Sequence, residues 1–228
     1  MHTLILYRSP MTDDSTRHMS VLFIGHSYVR RARLHRLQHY FSTNLTIENV
    51  ILHFNYIWRG GKNYAFFNSD EETKENIKLY SPDIILVALA GNAVSKSSYF
   101  DMPSANAEMR IFHNWLCFNF PNAKILPIEA EPRYNHHKEL PRNHNPLLES
   151  YKSRRKAMNM AMARMSCKHG LIRVYSRLND RKFYLKRDRT PYVHLNKLGN
   201  ERFWELIING LNYNLEKWGY LDKKFFYK

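Results

Sequence analysis

The run Val21-Leu22-Phe23-Ile24-Gly25-His26-Ser27 ends in a hydroxyl at a strand-to-helix turn, a place where α/β folds hold reactive groups. Four apolar residues make a buried-strand pattern, Gly25 permits a sharp turn, and Ser27 opens a basic helix through Tyr28-Val29-Arg30-Arg31. A side chain there lies among unpaired helix N-terminal amides. Taken alone, the segment reads as a strand followed by a capping serine, since serine is a favoured cap. As a nucleophile, its hydroxyl needs a base within hydrogen-bond reach. His194 is the candidate. It stands in Val193-His194-Leu195-Asn196-Lys197-Leu198-Gly199, ahead of a helix whose apolar face reads Phe203, Leu206, Ile207, Gly210, Leu211.

Two further turns lie between these segments. Arg59-Gly60-Gly61-Lys62 follows Val50-Ile51-Leu52-His53, and Ala90-Gly91-Asn92-Ala93 follows Ile84-Ile85-Leu86-Val87-Ala88-Leu89. On its own Gly91-Asn92 is simply a good turn pair. In this order the four segments resemble the blocks of the SGNH/GDSL hydrolase superfamily, from about Ser20 to Leu211. Ser27 matches the serine of the family's Gly-Asp-Ser block. His194 matches the histidine of its Asp-x-x-His block, continued as Leu-Asn-x-x-Gly. The turn at Asn92 looks like its Gly-x-Asn-Asp block. The resemblance implies a serine hydrolase acting on an ester, with Ser27 as nucleophile and His194 as base. The oxyanion donors it implies are the backbone amides of Ser27 and Gly61 (or Gly60) and the side-chain amide of Asn92. No cofactor is implied.

The chain departs from the family pattern at three places. His26 stands where the first block has Asp, Ala93 where the third ends in Asp, and Pro191 three residues before His194. A proline neither orients an imidazole nor stabilises its cation. Asp188, in Asp188-Arg189-Thr190-Pro191-Tyr192-Val193-His194, is the candidate replacement, returned toward His194 by a proline-containing bulge. A Ser27–His194 dyad, with a backbone carbonyl fixing the tautomer, is the other possibility. Arg30 and Arg31, within a turn of Ser27, are candidates for holding an anionic acyl substrate. Glu129 and Glu131 follow the strand at 124–128 and reach the same sheet edge, in a loop where carboxylates are usually solvated. His136, His137 and His144 lie in a polar stretch without zinc-site spacing, so no metal is expected.

The positioning elements follow from apolar periodicity. Strands are expected at 21–25, 47–53, 84–89, 124–128 and 171–175. The first helix, near 28–41, is expected to bury Leu34, Leu37 and Phe41 and to turn Arg30, Arg31, Arg33 and Arg36 away. Others are expected near 71–80, after Pro103 with Ser104 as cap, and near 146–169. This succession suits an α/β fold: a three-layer α/β/α sandwich around a flavodoxin-like parallel five-stranded sheet, ordered 2-1-3-4-5.

At 228 residues the chain suits one domain, 20–228, with a loose leader at 1–19 and a basic aromatic C-terminal tail. Thirty-five Lys and Arg against twenty Asp and Glu give a net charge of +15, which points to polyanions. The alternative function is therefore a catalytically impaired module of the same fold that binds RNA or DNA through its basic surface, in a salt-sensitive manner. No apolar run approaches the roughly 18–20 residues of a membrane span, and no secretory signal is evident. Cys117 and Cys167 are too few for a disulfide framework, and Cys117, in an apolar run, is expected to be a buried thiol. An intracellular location, cytoplasmic or nuclear, is expected.

Overall fold

Two runs that are apolar at every step, Val21–Ile24 and Ile84–Ala88, set the architecture, because such runs must be covered on both faces. The computed structural model describes residues 16–40, 44–95, 101–132, 146–166, 170–174, 177–178, 180–185 and 194–221. In β1 (Arg17–Gly25), Val21 and Phe23 enter one core cluster, while Leu22 and Ile24 enter the other. β4 (Ile84–Ala88) does the same, with Ile84 and Leu86 on one face and Ile85 and Val87 on the other. Each fully buried large apolar side chain contributes about 1.5–3 kcal/mol. A sheet buried on both faces is thus the stable outcome.

The remaining strands are β2 (Asn44–Ile47), β3 (Val50–Trp58) and β5 (Lys124–Pro127). Their order is β2-β3-β1-β4-β5, with β3, β1, β4 and β5 parallel and β2 antiparallel to β3. The four parallel strands keep the order expected from the sequence. Two strands differ in extent. The segment read as 47–53 is a hairpin turning at Glu48, whose φ of 53° is left-handed. Among the described residues the segment read as 171–175 forms one bridge, Ile172 beside Ile128, next to β5. β1 begins at Arg17, so residues 17–19 of the expected leader pair with Val50–Leu52.

Helices α1 (Ser27–Tyr40) and α7 (Lys197–Lys217) cover one face of the sheet. The other face carries α2 (Tyr64–Ser69), α3 (Glu71–Lys78), α5 (Met102–Asn119) and α6 (Pro146–Met165). α4 (Ala90–Ala93) is one short turn after β4. α1 does not bury the face expected of it. Leu34 is exposed and Arg36 is buried, with its guanidinium over the Trp204 ring and donating to the carbonyl of Asn44. The inward face is Val29, Ala32 and Arg36, and Leu37 and Phe41 lie outside the described side chains. α5 is capped by Asp101, which accepts from the Ser104 amide, so Ser104 lies inside the helix. Cys117 is a half-buried free thiol, 3.6 Å from His113 Nδ1. Among the described residues no helix is long and apolar enough to cross a membrane.

Tyr64 sits at the base of the second layer, its hydroxyl 3.9 Å from Met162 Sδ. Burial pushes its pKa well above the ordinary value, and the Glu131 carboxylate pushes in the same direction. A raised folded-state pKa means that this contribution is intact below about pH 10 and is lost as pH climbs further. The drop in urea midpoint between pH 9 and pH 11 should therefore be smaller in Tyr64→Phe than in the parent. An equal drop would refute this.

Candidate active site

The sheet register brings three of the four segments to one edge. Gly25, at the end of β1, is level with Trp58 on β3 and Ala88 on β4, so the turns that follow all emerge together. The amide of Arg59 donates to the Gly25 carbonyl at 3.0 Å, which ties the second segment to the first. A Cβ at position 25 would lie 2.3 Å from Val29 Cγ2 and 2.8 Å from the Ala88 carbonyl oxygen. Only glycine lets β4 and α1 approach this closely.

His26, not Ser27, occupies the capping position of α1. Its carbonyl accepts from the amides of Val29 and Arg30, and its ring Nδ1 accepts from the amide of Tyr28 at 3.4 Å. Ser27 is therefore the first residue of the helix, and its hydroxyl is not spent on capping. Instead Ser27 Oγ lies 3.2 Å from His194 Nε2, across 167 positions of sequence. Ser27 and His194 are both partly buried, so the pair is reachable from solvent.

The alignment of this pair comes from the packing of α1 on α7. Trp204 Nε1 donates to the Ala32 carbonyl at 2.9 Å, and the Tyr28 ring meets Phe203 edge-on. Asn196 caps α7 by accepting from the Gly199 amide, which fixes where the helix starts and hence where His194 stands. The backbone at His194 is held as well, since its carbonyl accepts from the Leu185 amide at 2.8 Å. Asp188 and Pro191 lie outside the described residues, as do His136, His137, His144, Cys167 and the C-terminal tail beyond Leu221. Among the described residues no group of His, Cys, Asp and Glu is arranged to hold a metal ion.

Asn92 and the glycine turn are also brought together. Asn92 Nδ2 donates to the Lys62 carbonyl at 2.9 Å, and Gly61 has a left-handed φ of 70°. This bond orients the Asn92 side chain. Gly60 and Gly61 are exposed on the same turn. Arg30 is exposed and Arg31 partly so, both on the first turn of α1. Ala93 is buried in α4.

Glu131 is the residue whose importance the sequence hid. From the sequence it could act on substrate or lie solvated in its loop, yet its side chain is 6% exposed and His26 is fully buried beside it. Glu131 Oε1 is 3.5 Å from His26 Nε2. His26 Nδ1 accepts a backbone N–H, and Nε2 is the ring nitrogen that faces the carboxylate. The same carboxylate rests on Gly91, where a Cβ would come within 2.1 Å of Oε1. One side chain thus touches both the Ser27 turn and the Asn92 turn from beneath. Its own backbone is anchored to α6 by the Tyr151 hydroxyl, which donates to the Glu131 carbonyl at 2.7 Å.

No family model matches the chain, and no curated protein does. Solved structures do. A protein assigned as an acylhydrolase from Bacteroides fragilis superposes with a TM-score of 0.62 at 15% identity, covering 91% of each chain. A GDSL-like lipase from Bacteroides thetaiotaomicron gives 0.61 at 12% identity, covering 87% of this chain and 88% of the other. The psychrotrophic esterase EstA from a Pseudoalteromonas species, in a structure inhibited by monoethylphosphonate, gives 0.57 at 11% identity over 86% and 98%. At such identities the likeness is one of fold, and the fold is that of the SGNH/GDSL-like hydrolases.

Proposed function

We propose that this protein is a serine hydrolase that cleaves esters, with Ser27 as nucleophile and His194 as general base. The observation that carries the reading is the 3.2 Å approach of Ser27 Oγ to His194 Nε2 at the carboxyl edge of the sheet. A module that only bound polyanions would have no use for a hydroxyl and an imidazole held in register across two helices. In the reaction His194 takes the Ser27 proton as Oγ attacks the acyl carbon, then returns it to the leaving alcohol. The acyl-enzyme is hydrolysed by water, activated by the same imidazole. The developing oxyanion is received by the amides of Ser27 and Gly61 (or Gly60) and by the Asn92 side chain. The Asn92–Lys62 bond supports that assignment because it pre-orients the amide before substrate arrives. Arg30 and Arg31 favour an acyl group bearing negative charge.

The Pseudoalteromonas neighbour is inhibited by a phosphonate, and phosphonate chemistry gives a direct test here. A fluorophosphonate probe should add covalently to Ser27, read as a mass increase on the peptide that contains it, and should not label Ser27→Ala. Absence of labelling in the folded wild-type protein, or equal labelling of both proteins, would overturn the proposal.

A further inference from the structure

Tyr28 follows Ser27 on α1, and it is buried, with 2% of its surface exposed. Its ring lies against three others. The His26 ring meets it edge-on, with centroids 5.3 Å apart at 88°, and the Phe203 ring of α7 does so at 6.2 Å and 72°. The third is His194, tilted at 47° with centroids 6.4 Å apart. All three separations fall in the range of paired aromatic rings, about 4.5–7 Å. The Tyr28 amide also donates to His26 Nδ1, so backbone and ring are both tied to that histidine.

The His194 ring needs such a neighbour. Its backbone is pinned, because Leu195 forms a bridge with Tyr184 and the Leu185 amide donates to the His194 carbonyl at 2.8 Å. The Asn196 amide donates to the Phe183 carbonyl at 2.9 Å on the other side. These bonds place the Cα and leave the ring free to turn. Rotation about the bond from Cβ to a histidine ring is broad and roughly two-fold. Half a revolution would put a carbon where Nε2 now stands 3.2 Å from Ser27 Oγ. His194 is partly exposed, so water competes for that one hydrogen bond. Tyr28, buried and braced by His26 and Phe203, is a fixed surface against which the imidazole can rest.

We propose that Tyr28 is a positioning residue for the base. Its ring is the wall that keeps His194 Nε2 aimed at Ser27, and His26 and Phe203 hold that wall still. The inference rests on the reading of Ser27 as nucleophile and His194 as base. It also carries the buried Glu131–His26 contact to the base through a single intervening ring.

The test compares Tyr28→Leu, which removes the ring, with Tyr28→Phe, which keeps it, at a temperature where urea unfolding shows each variant folded. Tyr28→Leu should lower kcat for p-nitrophenyl acetate about tenfold or more and leave KM within about twofold, since a misplaced base slows turnover rather than binding. Tyr28→Phe should recover most of that loss, to within about threefold of the parent. Tyr28→Met fills similar space with a flexible chain, and takes the place of leucine if that variant does not fold. In a His194→Ala background, Tyr28→Leu should change the rate of fluorophosphonate labelling of Ser27 by less than about twofold, because no base is left to misplace. A purely structural role would slow both backgrounds alike. The crystal structure of Tyr28→Leu should show His194 Nε2 beyond hydrogen-bond reach of Ser27 Oγ, or the ring in two orientations. A leucine variant as fast as the parent, a phenylalanine variant as slow as leucine, equal slowing in both backgrounds, or an unmoved His194 ring would each overturn the proposal. The crystal structure decides it even if Ser27 takes no label in the parent, so failure of the hydrolase reading is told apart from failure of this one.

Discussion

Replacing His194 with alanine should lower kcat/KM for p-nitrophenyl acetate by about four orders of magnitude, with KM little changed. The size follows from serine-hydrolase templates, in which losing the general base removes most of the acceleration while binding and oxyanion donors leave a residue. The direction follows from geometry. Ser27 stands first in α1, where the helix amides favour negative charge on its oxygen, yet its hydroxyl is not ionised without a base. His194 Nε2, at 3.2 Å, is placed to take that proton under the proposed reading. The truncation leaves a gap at a partly buried position, so the fold should survive and the loss should be chemical. Added imidazole distinguishes the two cases, since it restores part of the rate if only the base is missing. A variant retaining activity within about threefold of the parent would show that His194 is not the base.

The second large effect is on stability. Glu131→Ala should destabilise the protein by about 3 kcal/mol in urea unfolding. The carboxylate is the acceptor facing His26 Nε2, and both groups are cut off from water. Its removal breaks a buried carboxylate–imidazole contact, which costs about 1–3 kcal/mol, and adds a cavity under Gly91. Total stabilities are about 5–15 kcal/mol, so the loss is a large fraction of the whole. Glu131→Gln keeps an acceptor of the same shape and should cost roughly 1 kcal/mol. In both variants the reaction at Ser27 should also slow, because the carboxylate touches the two turns that carry Ser27 and Asn92. An unchanged midpoint in Glu131→Ala would show that the pair contributes nothing.

Much of this site is legible in the sequence, and the reasons are local. Val21–Ile24 of β1 and Ile84–Ala88 of β4 are apolar at each position and followed by glycine or a turn, so their burial follows from composition. Ser27 and His194 each sit beside an element whose start is marked, one by Gly25 and the other by the Asn196 cap. What escaped the sequence depends on partners far along the chain. Val50–His53 reads as the end of one strand from 47, but the turn at Glu48 divides it and the strand runs on to Trp58. Arg36 reads as a solvent-facing cation, and becomes buried only because Trp204 supplies a ring for it to lie on. Glu131 reads as a loop carboxylate for the same reason. Its burial requires His26 and Gly91, neither of them near it in sequence. Short elements such as α2 carry too few residues to show a period.

The contact between His26 and Glu131 also restricts how this chain can change. The SGNH/GDSL pattern that the sequence resembles has an aspartate at the position of His26, so that pattern is one substitution away in composition. It is not one step away in energy. His26→Asp alone would set a second carboxylate against Glu131 in a space without water, where two such groups cannot both ionise. Glu131→Ala alone takes from the buried imidazole its carboxylate neighbour. Each position is tolerable only in the company of the other, so the two must change together or not at all. The histidine is thereby tied to a residue 105 positions downstream.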